Sequence, residues 1–164
     1  MPEWFTHVAI GLLLAELFNV NKKSIVVLGA ILPDILVKLT LVRLFIPIPN
    51  FDYSILGALH VPFVFFLFTL VAAPLFRYHY GRIVLWLNLG AMSHFLSDAL
   101  LRHVAGGGVR LLYPFSLDYY TASLFWPEQS YLLGIALAMA YGLLLFLKRY
   151  HWKISAAKSM PQNK

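Results

Sequence analysis

The stretch IVLWLNLGAMSHFLSDALL, from Ile83 to Leu101, decides the class of fold. A bilayer's hydrocarbon core is about 30 Å thick and a helix rises about 1.5 Å per residue, so about 20 mostly apolar residues cross it. This stretch is long enough and holds a single acid, Asp98. A charged side chain at mid-bilayer costs about 2.5–3.5 kcal/mol on insertion scales, so an acid placed there faces protein and has a partner. His94 lies four positions before Asp98. That spacing is about 40° around a helix, so the two side chains leave one face a single turn apart.

The segments on either side read the same way. Leu56 to Phe76 carries no Asp, Glu, Lys or Arg and ends at Arg77, and Tyr131 to Leu147 is likewise uncharged and runs into Lys148 and Arg149. Two further spans are interrupted. Trp4 to Val20 holds His7 and Glu16, and Ser24 to Phe45 holds Asp34, Lys38 and Arg43, with Pro33 inside. A proline removes one backbone donor, which lipid tolerates only where protein or a cavity covers the freed carbonyl, so Pro33 is expected to mark a kink facing the interior. Pro2 and Glu3 suit an opening helical turn, and Asn19-Val-Asn-Lys-Lys23 ends it. No signal-peptide cleavage site follows, so the first span is expected to be retained.

Composition agrees. The chain is 60% hydrophobic and 12% charged, with a mean hydropathy of +0.74; soluble domains run nearer half apolar and a quarter charged. The expectation is an all-α integral membrane bundle of about five spans. Residues 1–150 form a single domain, and residues 151–164 a basic polar tail. There is no internal repeat and no second domain.

Thirteen basic residues against seven acidic give a net charge of +6 with His neutral. In a soluble protein this would point to nucleic acid. Here the basic residues flank apolar runs, as Lys22 and Lys23, Arg77 and Arg82, and Lys148 and Arg149, where they set membrane orientation. No nucleic-acid partner is expected. Placing those residues in the cytoplasm puts the N-terminus outside and the C-terminus inside. The Asn50 to Tyr53 link and the Arg102 to Ser130 loop then face the exterior, while His79 and His151 are cytoplasmic loop residues. The four Trp residues and the Tyr residues near span ends suit an interfacial belt. With no Cys there is no disulfide, thiolate metal site or cysteine nucleophile.

Five ionisable residues stand inside apolar spans: His7, Asp34, His60, His94 and Asp98. By helical rise Asp34 and His94 lie about 15 Å below the external surface and the others nearer to it, so all five can meet in the external half of a bundle. Three imidazoles and two carboxylates suit zinc, or manganese or iron, and exceed what one four-coordinate ion needs. The alternative for the same cluster is ion- or proton-coupled transport or binding, since intramembrane His and Asp also build proton relays. Glu16 lies near a cytoplasmic end, within reach of Lys22 or water, and reads as structural.

On these residues the chain resembles the family of inner-membrane-bound proteins described as metal-dependent hydrolases. The matching pieces are Thr6-His-Val-Ala-Ile-Gly11, Gly29-Ala-Ile-Leu-Pro-Asp34, Gly57 with His60, Ser93-His94 through Asp98, and Leu112-Tyr-Pro-Phe115. That family is in turn similar to zinc-dependent phospholipase C. The resemblance implies that Asp34, His60, His94 and Asp98 surround one zinc and that His7 and Asp98 share another, Asp98 bridging. The chain departs from the pattern at Leu36, where many members carry a second acid, and at Ile55-Leu-Gly57, where they carry His-Arg-Gly. Nothing after His103 matches the late His and Glu ligands of the phospholipase, so one or two ions are expected.

The chemistry follows from such a site. A metal ion with an open position makes hydroxide available at neutral pH and polarises a phosphoryl oxygen, with Asp34 or Asp98 as the base. No Gly-x-Ser-x-Gly or His-Glu-x-x-His element supports a serine hydrolase or zincin. A cluster near the external surface favours a membrane lipid substrate, a phospholipid or another lipid-linked phosphoester. Arg102, His103 and Arg110 on the adjoining loop are the candidate headgroup contacts, and they also suit interfacial anchoring.

Overall fold

The computed structural model describes residues 4–39, 57–102 and 107–159. Among them the chain forms five α-helices: α1 Trp4–Leu17, α2 Lys23–Lys38, α3 Pro62–Ala72, α4 Tyr80–Leu100 and α5 Ser130–Ser159. No strand is formed among these residues, only isolated bridges between Leu101 and Phe125 and between Val109 and Tyr120. The all-helical expectation therefore holds.

Local chemistry explains the boundaries. Asn19 takes a left-handed φ of 49°, and the Val20 and Asn19 N–H groups bond back to Ala15 O at 2.8 Å and Glu16 O at 3.2 Å. This paired closure satisfies the last carbonyls of α1. Pro62 opens α3, where its missing donor costs nothing because the first N–H groups of a helix have no internal acceptor. Pro33 is buried, and α2 continues through it to Lys38.

Two helical stretches are long and apolar enough to cross a membrane, Tyr80–Leu100 and Pro127–His151, the second including the short 3-10 turn that leads into α5. Trp4–Leu17 and Pro62–Leu75 are apolar but shorter, and α2 has 16 residues. Residues 40–45 and 56 of the expected second and third spans lie outside the described residues, as do 50–53.

α2 and α4 pack backbone against backbone. A Cβ added to Gly29 would collide with the Leu87 carbonyl, and one added to Gly90 with the Val26 carbonyl. Only hydrogen at both positions lets the two backbones touch, as small residues do where helices associate in lipid. α1 lies along α2 through Gly11, whose added Cβ would be 3.1 Å from Val27 Cα. α3 also packs on α4, with Phe65, Ala91, Phe95 and Ala99 in one buried cluster that Leu32 and Leu36 of α2 pack against.

Contacts at the helix ends give their directions. Lys38, ending α2, stands 4.5 Å over the Trp4 ring that begins α1, and Glu16, near the end of α1, pairs with Lys23, the first residue of α2. α1 and α2 are therefore antiparallel. α3 opposes α4, since Phe65 packs on Phe95 while Asn88 donates to Thr69 at 2.7 Å. α5 follows α1: Thr6 donates to Ser130 O at 2.9 Å, and Lys148 reaches Glu16 Oε1 at 2.7 Å. One end of the bundle thus holds His7, Asp34, His94 and Asp98, and the other holds the Glu16 ion cluster.

That ion cluster differs from the sequence expectation. Glu16 pairs with Lys23 and Lys148 rather than with Lys22. Lys148 also reaches Asn19 Oδ1 at 3.2 Å, and the hydrogen bond to Glu16 holds the Lys23 ammonium above the ordinary lysine range. Beyond its contact with α1, α5 leaves Leu132, Ile135, Met139, Leu143 and Phe146 exposed.

Candidate metal centre

Four elements deliver the five ionisable residues to one place. His7 comes from the first turns of α1, Asp34 from the last turn of α2, His60 from the turn before α3, and His94 and Asp98 from one face of α4. One ligand atom from each of Asp34, His60, His94 and Asp98 lies within 4.8 Å of all the others. His7 stands beside them, its Nε2 3.8 Å from Asp98 Oδ1 and its ring stacked on His94 at 4.1 Å. All are buried except His60, which is 21% exposed.

The proton positions follow from the outer contacts. His94 Nδ1 is 2.9 Å from the Ala30 carbonyl oxygen. A carbonyl only accepts, so Nδ1 carries the proton and Nε2 of the neutral ring turns a lone pair inward. Ser97 acts alike for His7. Its hydroxyl donates to His94 O at 2.8 Å, leaving its oxygen to accept from His7 Nδ1 at 3.3 Å. His7 Nε2 therefore also points inward as a lone pair.

Those lone pairs face carboxylates. His94 Nε2 lies 3.8 Å from Asp34 Oδ1 and 3.4 Å from Asp98 Oδ2. His7 Nε2, His94 Nε2 and both Asp34 oxygens are buried without a hydrogen-bond partner, an arrangement that costs about 1–3 kcal/mol per group unless something compensates it. A cation compensates all of them at once. A four-coordinate ion with bonds of about 2.0–2.1 Å separates its ligand atoms by about 3.4 Å, close to the spacing here. His60 is placed differently: its Nε2 is 3.0 Å from Asp98 Oδ2. Lys38 Nζ, 3.6 Å from Asp34 Oδ2, adds one positive charge at the edge. The described residues thus contain a buried Asp/His cluster that could hold a metal ion.

A family model described as YdjM inner membrane protein matches residues 1–159, nearly the whole chain. The chain belongs to the YdjM inner membrane protein family. YdjM membership agrees with the apolar composition and with the two span-length helices. No curated protein and no solved structure matches the chain.

The loop residues expected near this YdjM-family cluster are placed separately. Arg102 lies with its guanidinium 4.5 Å over the Trp126 ring. Arg110 stacks on Tyr119 at 4.6 Å and donates to the Tyr119 hydroxyl at 2.8 Å. His103 lies outside the described residues. Three contributors were missed in the sequence: Ser97, the Ala30 carbonyl and Lys38. Lys38 sits four positions from Asp34 on the same helix, a spacing that could have marked it, whereas nothing local marks Ser97, which meets His7 only through packing.

Proposed function

We propose that this chain is a multi-pass inner-membrane hydrolase that uses a divalent metal ion, zinc or one of similar chemistry, to cleave a phospholipid or another lipid-linked phosphoester. The observation that carries this reading is the convergence of Asp34, His60, His94 and Asp98 within 4.8 Å, with His94 and His7 both turned lone-pair inward. A divalent ion bound there supplies a Lewis acid and lowers the pKa of water to about 7. Asp34 and Asp98 balance its charge, and a carboxylate oxygen left toward the substrate takes the proton of the attacking water. Asp98 lies 3.0 Å from Nε2 of the partly exposed His60, the ring with which it can share that proton.

The alternating helix directions support five passes, with the cluster and the N-terminus on the external side and the C-terminus in the cytoplasm. Metal analysis of the detergent-purified chain tests the foundation. The expected result is at least one ion per chain, lost in His94→Ala; substoichiometric metal that is the same in both proteins would remove it. Phospholipid turnover that depends on added zinc and disappears in Asp98→Asn tests the reaction. Ion flux in liposomes without turnover would instead assign the cluster to transport.

A further inference from the structure

A groove of about 340 Å³ is lined by Gly57, Ala58, Val61, Val64, Arg110 and Tyr113. Ala58 and Val61 flank His60 in the chain, and His60 is the partly exposed member of the cluster. The wall is apolar apart from Arg110 and the Tyr113 hydroxyl. Arg110 uses one terminal nitrogen on Tyr119, while its Nε is buried with no hydrogen-bond partner. A guanidinium with an unused buried donor at the rim of an apolar groove matches a phosphate attached to something apolar. The loop that carries Arg110 also exposes Leu112, Phe115 and Leu117, with Phe115 94% exposed. Such side chains belong in a lipid interface rather than in water.

We propose that this groove is a phospholipid subsite, in which Arg110 binds the phosphate and the Gly57 to Val64 wall takes the adjoining glycerol and acyl carbons. The assignment builds on the hydrolase reading above and names its substrate arm. It also separates two arginines alike in sequence: both stack on an aromatic ring, but of the two only Arg110 lines the groove.

Gly57 provides the test, because a Cβ added there meets no atom of the described residues within 4 Å. Gly57→Leu places a bulky side chain on the groove wall. The probes are a dihexanoyl phosphonolipid, whose P–C bond resists hydrolysis, and inorganic phosphate, titrated into the full chain in detergent micelles with helicity checked by circular dichroism. Arg110→Gln is expected to weaken both probes about tenfold or more, since a charge-assisted contact is worth about 1.5–3 kcal/mol. Gly57→Leu should weaken the phosphonolipid by a similar factor and leave inorganic phosphate within about twofold. Unchanged phosphonolipid affinity in either variant overturns the proposal. Inorganic phosphate binding as tightly as the phosphonolipid would make this a free-phosphate site and overturn the lipid assignment. If this pattern holds while metal analysis finds no ion, the hydrolase reading fails and the subsite stands; bound metal with unchanged probe affinities means the reverse.

Discussion

A histidine offers a metal ion one nitrogen only when something else holds the proton on the other. For His94 that group is the Ala30 carbonyl, which no side-chain substitution removes. For His7 it is Ser97, which mutation can test. Losing such an outer contact typically costs about 10–100-fold in metal affinity. Ser97→Ala is expected to fall in that range in a competitive chelator titration, Ser97→Thr to stay near the parent value, and the ¹⁵N shifts of His7 to show the loss of a fixed tautomer only in the Ala variant. Equal affinity in all three proteins would reduce Ser97 to a helix serine bonded to the carbonyl of His94. The same physics decides what was legible in the sequence. His7, Asp34, His60, His94 and Asp98 could be picked out because lipid makes each of them expensive. Ser97 could not, because a serine in an apolar helix is unremarkable until packing brings His7, 90 positions earlier, against it. The same holds for Glu16, whose partner Lys148 lies 132 positions away.

At the scale of elements, the geometry of the Asp/His cluster depends on how closely α2 approaches α4, since Asp34 rides on one and His94 and Asp98 on the other. Gly29 and Gly90 set that distance. A methyl on Gly90 would meet the Val26 carbonyl and would lie 2.7 Å from Ala30 N, so the helices must separate. Overpacking of this kind costs about 1–3 kcal/mol. Gly90→Ala is expected to lower the thermal midpoint in detergent and to weaken metal binding with it. Gly142→Ala, where the added carbon meets nothing within 4 Å, should leave both unchanged or raise the midpoint slightly, because alanine favours helix. A Gly90→Ala protein as stable as its parent would mean that the crossing can widen by a methyl group at no cost. The existence and type of these helices were readable from apolar run length alone, but their ends were less so. Leu56 to Phe76 reads as one unbroken run, whereas α3 begins at Pro62 and His60 falls in the turn before it. Proline favours the first helical position for lack of a donor, and this turn is what swings His60 toward Asp98.

For the whole molecule, the two ends of the bundle differ in charge as well as in content. Lys22, Lys23, Arg77, Arg82, Lys148 and Arg149 belong to the end with the Glu16 ion cluster, and Lys38, Arg102 and Arg110 to the end with the Asp/His cluster. Basic residues in short loops collect on the cytoplasmic side, and the topology proposed above accordingly turns the Asp/His end outward. The chain has no cysteine, so each introduced thiol is a unique reporter. Gly107→Cys lies on the loop between α4 and α5 in space open to an added Cβ, and Lys22→Cys lies exposed at the opposite end. A membrane-impermeant maleimide added to intact spheroplasts is expected to label position 107 and to spare position 22 until the membrane is opened. The reverse pattern would put the cluster on the cytoplasmic side, where both its metal and its lipid would have to come from the inner leaflet. Labelling of both before opening would mean that the chain does not divide the two ends between two compartments. The expected pattern matters for mechanism as much as for placement. With the cluster outward, the groove beside His60 and the exposed Phe115 lie at the outer leaflet, so only lipid presented on that face can reach Asp34 and Asp98.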